Sequence, residues 1–168
     1  NGRNPKDFWN YSGGDYAGTW KKRKEGQPFF TVFNIGHSHE SRAFGDHKDE
    51  STDPDKMILA PYHPDLPEMR NTYAKYASAV AKMDESVGEA VAKLKQDKLY
   101  QDTIIVYNSD HGGVLARSKR FLYSSGIHCP LIVRIPEKWK HLYPEGKKPG
   151  ATIDRIVSFI DMPKTWVS

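Results

Sequence analysis

The run Thr103-Ile104-Ile105-Val106-Tyr107-Asn108-Ser109-Asp110-His111-Gly112-Gly113 constrains the fold more than any other stretch of the chain. Its first half is rich in β-branched and aromatic side chains, which suits a strand covered on both faces, as inside a parallel sheet. The strand ends in Asp110 and His111, followed by two glycines. In open α/β sheets, ligands bind beyond the carboxyl ends of the strands. A carboxylate beside an imidazole, where glycines let backbone approach closely, suits a divalent metal or a phosphate-like group.

A second strand signal, Pro28-Phe29-Phe30-Thr31-Val32-Phe33-Asn34-Ile35, is followed by Gly36 and then by the polar cluster His37-Ser38-His39-Glu40-Ser41. Residues 42–66 are polar with scattered prolines and read as a long surface excursion. A helix is expected from Pro67, capped by Asp65, to about Lys98. Its apolar positions Tyr73, Tyr76, Ala77, Val80, Met83, Val87, Ala90, Val91 and Leu94 recur in steps of three and four, which is one helical face. Strand, long helix, strand is a βαβ crossover and implies parallel pairing. Both polar clusters would then lie on one edge of one sheet. Another short strand is expected at residues 130–136, and the apolar segment 153–160 leads into what reads as an incoming helix.

The 168 residues suffice for one domain with a real core. The net charge of +4 permits an anionic substrate, but no nucleic-acid motif accompanies the short basic run Lys21-Lys22-Arg23-Lys24. No nucleic-acid partner is therefore expected. The single cysteine, Cys129, allows no internal disulfide and reads as a small buried side chain beside a strand. No apolar run reaches the ~20 residues of a membrane-spanning helix. Residues 1–27 read as a loop-rich lead-in, and the chain reads as a fragment cut at both ends.

Taken together, the ordered set of motifs resembles the sulfatase family of the alkaline-phosphatase-like superfamily. The set comprises Pro28-Phe29-Phe30 with His39, the helix bearing Met83-Asp84 and Val87-Gly88, and Asp102 through Gly112. It continues with Lys119 through Tyr123 to Gly126, Pro130-Leu131-Ile132-Val133 and Phe159-Ile160-Asp161. The resemblance is closest to bacterial sulfatases related to heparan N-sulfatase. It implies an α/β fold, an alkaline-phosphatase-like α/β/α sandwich with a mostly parallel sheet, present here as a partial domain over residues 1–168. It also implies a periplasmic or secreted location.

In that family the preceding half carries a Cys-x-Pro-Ser-Arg signature, whose cysteine becomes the formylglycine nucleophile, and an Asp-Asp pair for calcium. Neither is present here. Cys129 is followed by Pro130-Leu131-Ile132 and does not fit the signature, so the chain contains no nucleophile and is expected to be inactive alone. By resemblance, Asp110 is a metal ligand and His111 contacts the metal or the substrate. Calcium is expected ahead of manganese or zinc, although an imidazole is an unusual calcium ligand. His39 matches the histidine that contacts the sulfate or assists breakdown of the intermediate, with His37 as its neighbour. Lys119 matches the lysine that binds the sulfate and neutralises the leaving group, with Arg120 adjacent. Asp84 reads as structural, and His47, His63, His128 and His141 read as surface or loop residues. Arg42 and Arg117 are secondary candidates for touching a sulfated sugar.

The intact protein is thus expected to hydrolyse sulfate esters, or N-sulfates, of a carbohydrate. Two other readings stay open: a phosphoester or phosphonate-ester hydrolase of the same superfamily, and a non-catalytic remnant.

Overall fold

The computed structural model describes residues 9–13, 15, 20–44 and 51–167; His47 lies outside them. Its spine is the helix α2, Pro67–Gln96, preceded by a short helix α1, Glu40–Phe44. Pro67 starts α2 because its fixed φ suits the first turn and its missing N–H would have no helical partner. The expected Asp65 cap does not form: Leu66 takes the cap position without a side-chain bond. Asp65 instead accepts a fork from Arg70, with Nη2 2.7 Å from Oδ2, and that contact lowers its carboxyl pKa. Two charges in fork geometry outcompete a single amide for the carboxylate.

Every position of the predicted apolar face of α2 is partly or fully buried. Ala74, Ser78, Ala79 and Leu94 form its buried positions. Ser78 is satisfied there, accepting from Ser51 Oγ at 2.9 Å and donating to Thr52 Oγ1 at 2.8 Å. At the far end Lys98 turns left-handed (φ 59°), and the Leu99 amide returns to the Leu94 carbonyl at 2.9 Å.

Trp20, within the segment read from sequence as a loop, is the largest fully buried side chain among the described residues, 1% exposed. Its indole N–H donates to Asp97 at 2.8 Å, beyond the end of α2. Trp20 and Leu94 form a small core against which Phe29, Phe33, Leu99, Tyr100 and Ile105 pack.

The expected strand at residues 28–35 joins no β-ladder among the described residues. Its period-2 pattern is nonetheless present: residues 29, 31, 33 and 35 are half-buried, and 30, 32 and 34 are exposed. Phe29 and Phe33 turn their rings toward Trp20, at 5.8 and 6.3 Å between centroids. The segment is therefore extended, held on one face by Trp20, while on the other Phe30 stacks on Trp9 at 6.4 Å between centroids.

The described residues contain one sheet, made of β1 (Ile105–Asn108) and β2 (Leu131–Arg134). The two pair antiparallel, with Ile105 opposite Arg134 and Asn108 opposite Leu131. The expected crossover pairing is not formed among these residues. β1 pairs instead with the strand that follows it, and a partner reached without a crossover can run antiparallel. Nor is β1 covered on both faces. It is half-buried, and β2 exposes Ile132 and Val133. Arg134 fastens the sheet to the end of α2, donating to the carbonyls of Tyr100 at 2.6 Å and Thr103 at 3.1 Å. The chain continues through a short helix α3 (Ser124–Ile127), which lies between the two strands in sequence. The late apolar segment does run into a helix, α4 (Met162–Val167), after a 3-10 turn at Phe159–Asp161. No helix is long and apolar enough to cross a membrane among the described residues.

Candidate active site

Asp110 and His111 follow the carboxyl end of β1. The Asp110 side chain is 87% exposed and that of His111 33%. His111 Nδ1 lies 2.6 Å from the Gly112 carbonyl. A carbonyl only accepts, so Nδ1 carries the proton and the neutral ring keeps its lone pair on Nε2. That atom is 3.7 Å from Asp110 Oδ1. Two ligands of one cation can span this separation with bonds of about 2.1–2.4 Å. Carboxylate oxygen and unprotonated imidazole nitrogen are the states a metal requires.

The two glycines that follow build a backbone junction. The Gly112 amide donates to the Gly126 carbonyl of α3 at 2.8 Å. A Cβ on Gly112 would collide with the Ser125 carbonyl, and one on Gly126 with the carbonyls of Phe121 and Ser118. The Gly113 carbonyl receives the Lys119 amide at 2.9 Å. Ser118, buried, donates its hydroxyl to the Ser125 carbonyl. The turn bearing Lys119 is thereby locked to the turn bearing Asp110 and His111.

His39 reaches this junction through its neighbour. Glu40 opens α1 directly after His39, and its carboxylate accepts both guanidinium nitrogens of Arg120, each at 2.9 Å, across 80 residues of sequence. Lys119 Nζ lies 3.1 Å from the same carboxylate, with only 19% of its side chain exposed. The Arg120 fork and then Lys119 hold Glu40 down at a pKa of about 2, and Glu40 in turn raises that of Arg120. On His39, Nδ1 accepts the Ser41 amide at 3.3 Å and lies 3.0 Å from the Ser41 hydroxyl. The neutral ring therefore carries its proton on Nε2, as a donor. Ser38 meets Met83 on α2, as does the Tyr107 hydroxyl of β1, so the histidine turn is set against the same helix position as the strand.

The structure thus joins Asp110 to His111 directly, and His39 to Lys119 through Glu40. The backbone of residues 112–119 links the two pairs. Glu40 is the residue that sequence reasoning missed. Its signal was a carboxylate in the first turn of a helix beside His39, opposite in sign to the Lys119-Arg120 pair. His63 is more than a loop residue. It bridges the Tyr73 hydroxyl at 2.7 Å and the Ala116 carbonyl at 3.1 Å. Cys129 is only partly buried, and burial and then nearby Asp110 push its thiol pKa up.

Among the described residues, no group of three or more His, Cys, Asp or Glu side chains could hold a metal ion. Asp110 and His111 fit a cation as two of its donors, short of the four of zinc or the six to eight of calcium. No residue of the chain fits formylglycine, since Cys129 lacks its sequence context.

A family model described as Sulfatase matches residues 14–168. An ulvan-active sulfatase of Formosa agariphila is 30% identical over 185 aligned positions, covering 89% of this chain and 30% of the relative. Human N-sulphoglucosamine sulphohydrolase is 28% identical, covering 82% of this chain and 26% of its own length. Human arylsulfatase K is 31% identical over 102 positions, 58% of this chain and 17% of its own length. The chain thus spans under a third of each of these relatives. No solved structure gives a significant match.

Proposed function

Because this chain belongs to the sulfatase family, we propose that it supplies the metal-binding and sulfate-contacting side of a sulfatase centre. The whole protein would hydrolyse sulfate esters, or N-sulfates, of a carbohydrate. The observation that carries this reading is the Glu40 bridge: Glu40, next to His39 in the chain, pairs with Lys119, whose amide is bonded to Gly113 beside Asp110 and His111.

In this reading Asp110 and His111 contribute two ligands of a divalent ion. Such an ion, when bound, holds the sulfate and offsets the charge that grows on its oxygens. Lys119 donates from its ammonium to a sulfate oxygen or to the leaving oxygen, where a preorganised charge acts most strongly. His39, with Nδ1 held by Ser41, is left with Nε2–H as a hydrogen-bond donor for the same group. The nucleophile belongs to sequence outside this chain. Calcium suits Asp110; the imidazole of His111, with its free Nε2, favours a softer ion such as zinc or manganese. That observation keeps a phosphoester hydrolase as the second reading.

For the fold, the reading assigns residues 28–35 to a strand of a larger, mostly parallel sheet in an α/β/α sandwich. Their alternating burial supports this assignment.

The full-length protein, with formylglycine verified by mass spectrometry, should turn over an aryl sulfate or a sulfated sugar and lose that activity in EDTA. Turnover of aryl phosphate but of no sulfate would replace this reading with the second one.

A further inference from the structure

Arg117 stands two residues before Lys119 and adopts a left-handed backbone (φ 64°). A branched or long side chain rarely takes that conformation, and such departures collect at functional sites. Its guanidinium lies over the Tyr62 ring at 4.6 Å and over the Tyr123 ring at 4.2 Å. The clamp is itself braced. His63, beside Tyr62, bonds the Ala116 carbonyl, and the Ser125 hydroxyl donates to the Arg117 carbonyl at 2.6 Å. Phe121 stacks beside Tyr123, at 6.2 Å between centroids. Despite this fixing, Arg117 is exposed, and its guanidinium makes no hydrogen bond or ion pair among the described residues. Its neighbours Lys119 and Arg120 are both paired with Glu40. An immobilised cation with open donors differs from an ordinary surface arginine, whose side chain samples many rotamers and loses that freedom on binding. Tyr62, Tyr123 and Phe121 are each about half exposed, between 44% and 51%, and offer aromatic surface around the charge.

We propose that Arg117, held between Tyr62 and Tyr123, is a subsite for an anionic sugar unit next to the one whose sulfate is cleaved. The guanidinium fork matches a carboxylate or a second sulfate, each with two oxygens to accept it. The rings cover the apolar face of the sugar. This deepens the sulfatase reading and rests on it. The substrate class becomes a polyanionic oligosaccharide, and not an isolated sulfated monosaccharide.

The test is direct binding to the full-length protein by calorimetry, which does not depend on turnover. The probes are a heparin tetrasaccharide with its carboxyl groups reduced, which keeps only sulfates, and one fully desulfated, which keeps only carboxylates. Arg117→Asn removes the charge while tolerating the left-handed backbone. It should weaken one probe about tenfold or more, the usual loss for a charged hydrogen bond. The affected probe identifies the group. Tyr62→Ser, which opens one side of the clamp, should weaken the same probe and leave the melting temperature nearly unchanged. Affinity for both probes within about twofold of the parent in Arg117→Asn, or a parent that binds neither probe, overturns the subsite. Aryl sulfate turnover in the same parent preparation reports separately on the sulfatase reading.

Discussion

Gly112 sits where the turn carrying Asp110 and His111 meets the backbone of α3, and Gly112→Ala measures what that closeness is worth. The new methyl group would overlap the Ser125 carbonyl, which is backbone and cannot swing aside. Relief requires the two turns to separate, and separation lengthens the 2.8 Å bond from the Gly112 amide to the Gly126 carbonyl. Overpacking of this kind costs about 1–3 kcal/mol, and a lost hydrogen bond about 1 kcal/mol more. The sum is roughly 2–4 kcal/mol. An unfolding entropy of about 2.1 cal/mol/K per residue gives roughly 0.35 kcal/mol/K for 168 residues. The expected fall in melting temperature is therefore roughly 6–11 °C by scanning calorimetry. Gly88→Ala is the internal control. Gly88 lies inside α2, and a methyl group there would meet nothing within 4 Å, so alanine should stabilise. The gain should be about 0.5–1 kcal/mol, or roughly 1–3 °C. A Gly112→Ala chain that melts within about 2 °C of the parent would refute the junction as the element that fixes the site.

Glu40 carries a pH prediction of definite sign. Its pKa is lowered from the ordinary 4.5 to about 2, so its contribution is present above pH 4.5 and is lost as pH falls toward 2. A carboxyl carbon titration by NMR should show a midpoint near 2; a midpoint above 4 would mean that the bridge to Arg120 does not persist in solution. On the proposed sulfatase reading, Asp110→Ala in the full-length protein should abolish both metal binding and turnover, and near-normal turnover would overturn its proposed role as a metal ligand. Lys119→Ala should lower kcat about 10²-fold, the usual loss for one donor to a developing negative charge. A change confined to KM would assign Lys119 to ground-state binding alone.

The long helix was the most legible part of the chain, because its apolar spacings of three and four run from Tyr73 to Leu94 and need no tertiary context. Its cap was not legible. Asp65 has the right chemistry, but Arg70 lies within reach of it and takes the carboxylate. The strand segments were readable as extended chain, since alternation is local, but pairing depends on what lies alongside. Residues 28–35 show the alternation without a ladder among the described residues, and β1 pairs antiparallel with β2 and not with the expected crossover partner 28–35. At the site, Asp110, His111, His39 and Lys119 were named from motif order. The link from the His39 turn to Lys119 was not, because it passes through Glu40, whose partner Arg120 lies 80 residues away. Trp20 was hidden for a related reason: its surroundings are polar, and only the folded chain shows Asp97 beneath its indole.

The extended segment at residues 28–35 has a colloidal consequence. It presents Phe30 and Val32 outward, 61% and 51% exposed, along a backbone that enters no ladder among the described residues. Large apolar side chains standing outward on an extended segment attract other apolar surfaces, including the same segment of a second molecule. Purified alone, this chain should self-associate as its concentration rises, visible as growth in light scattering. Val32→Lys should suppress that growth without touching the Trp20 core, because a charge on the outward face breaks up the apolar patch.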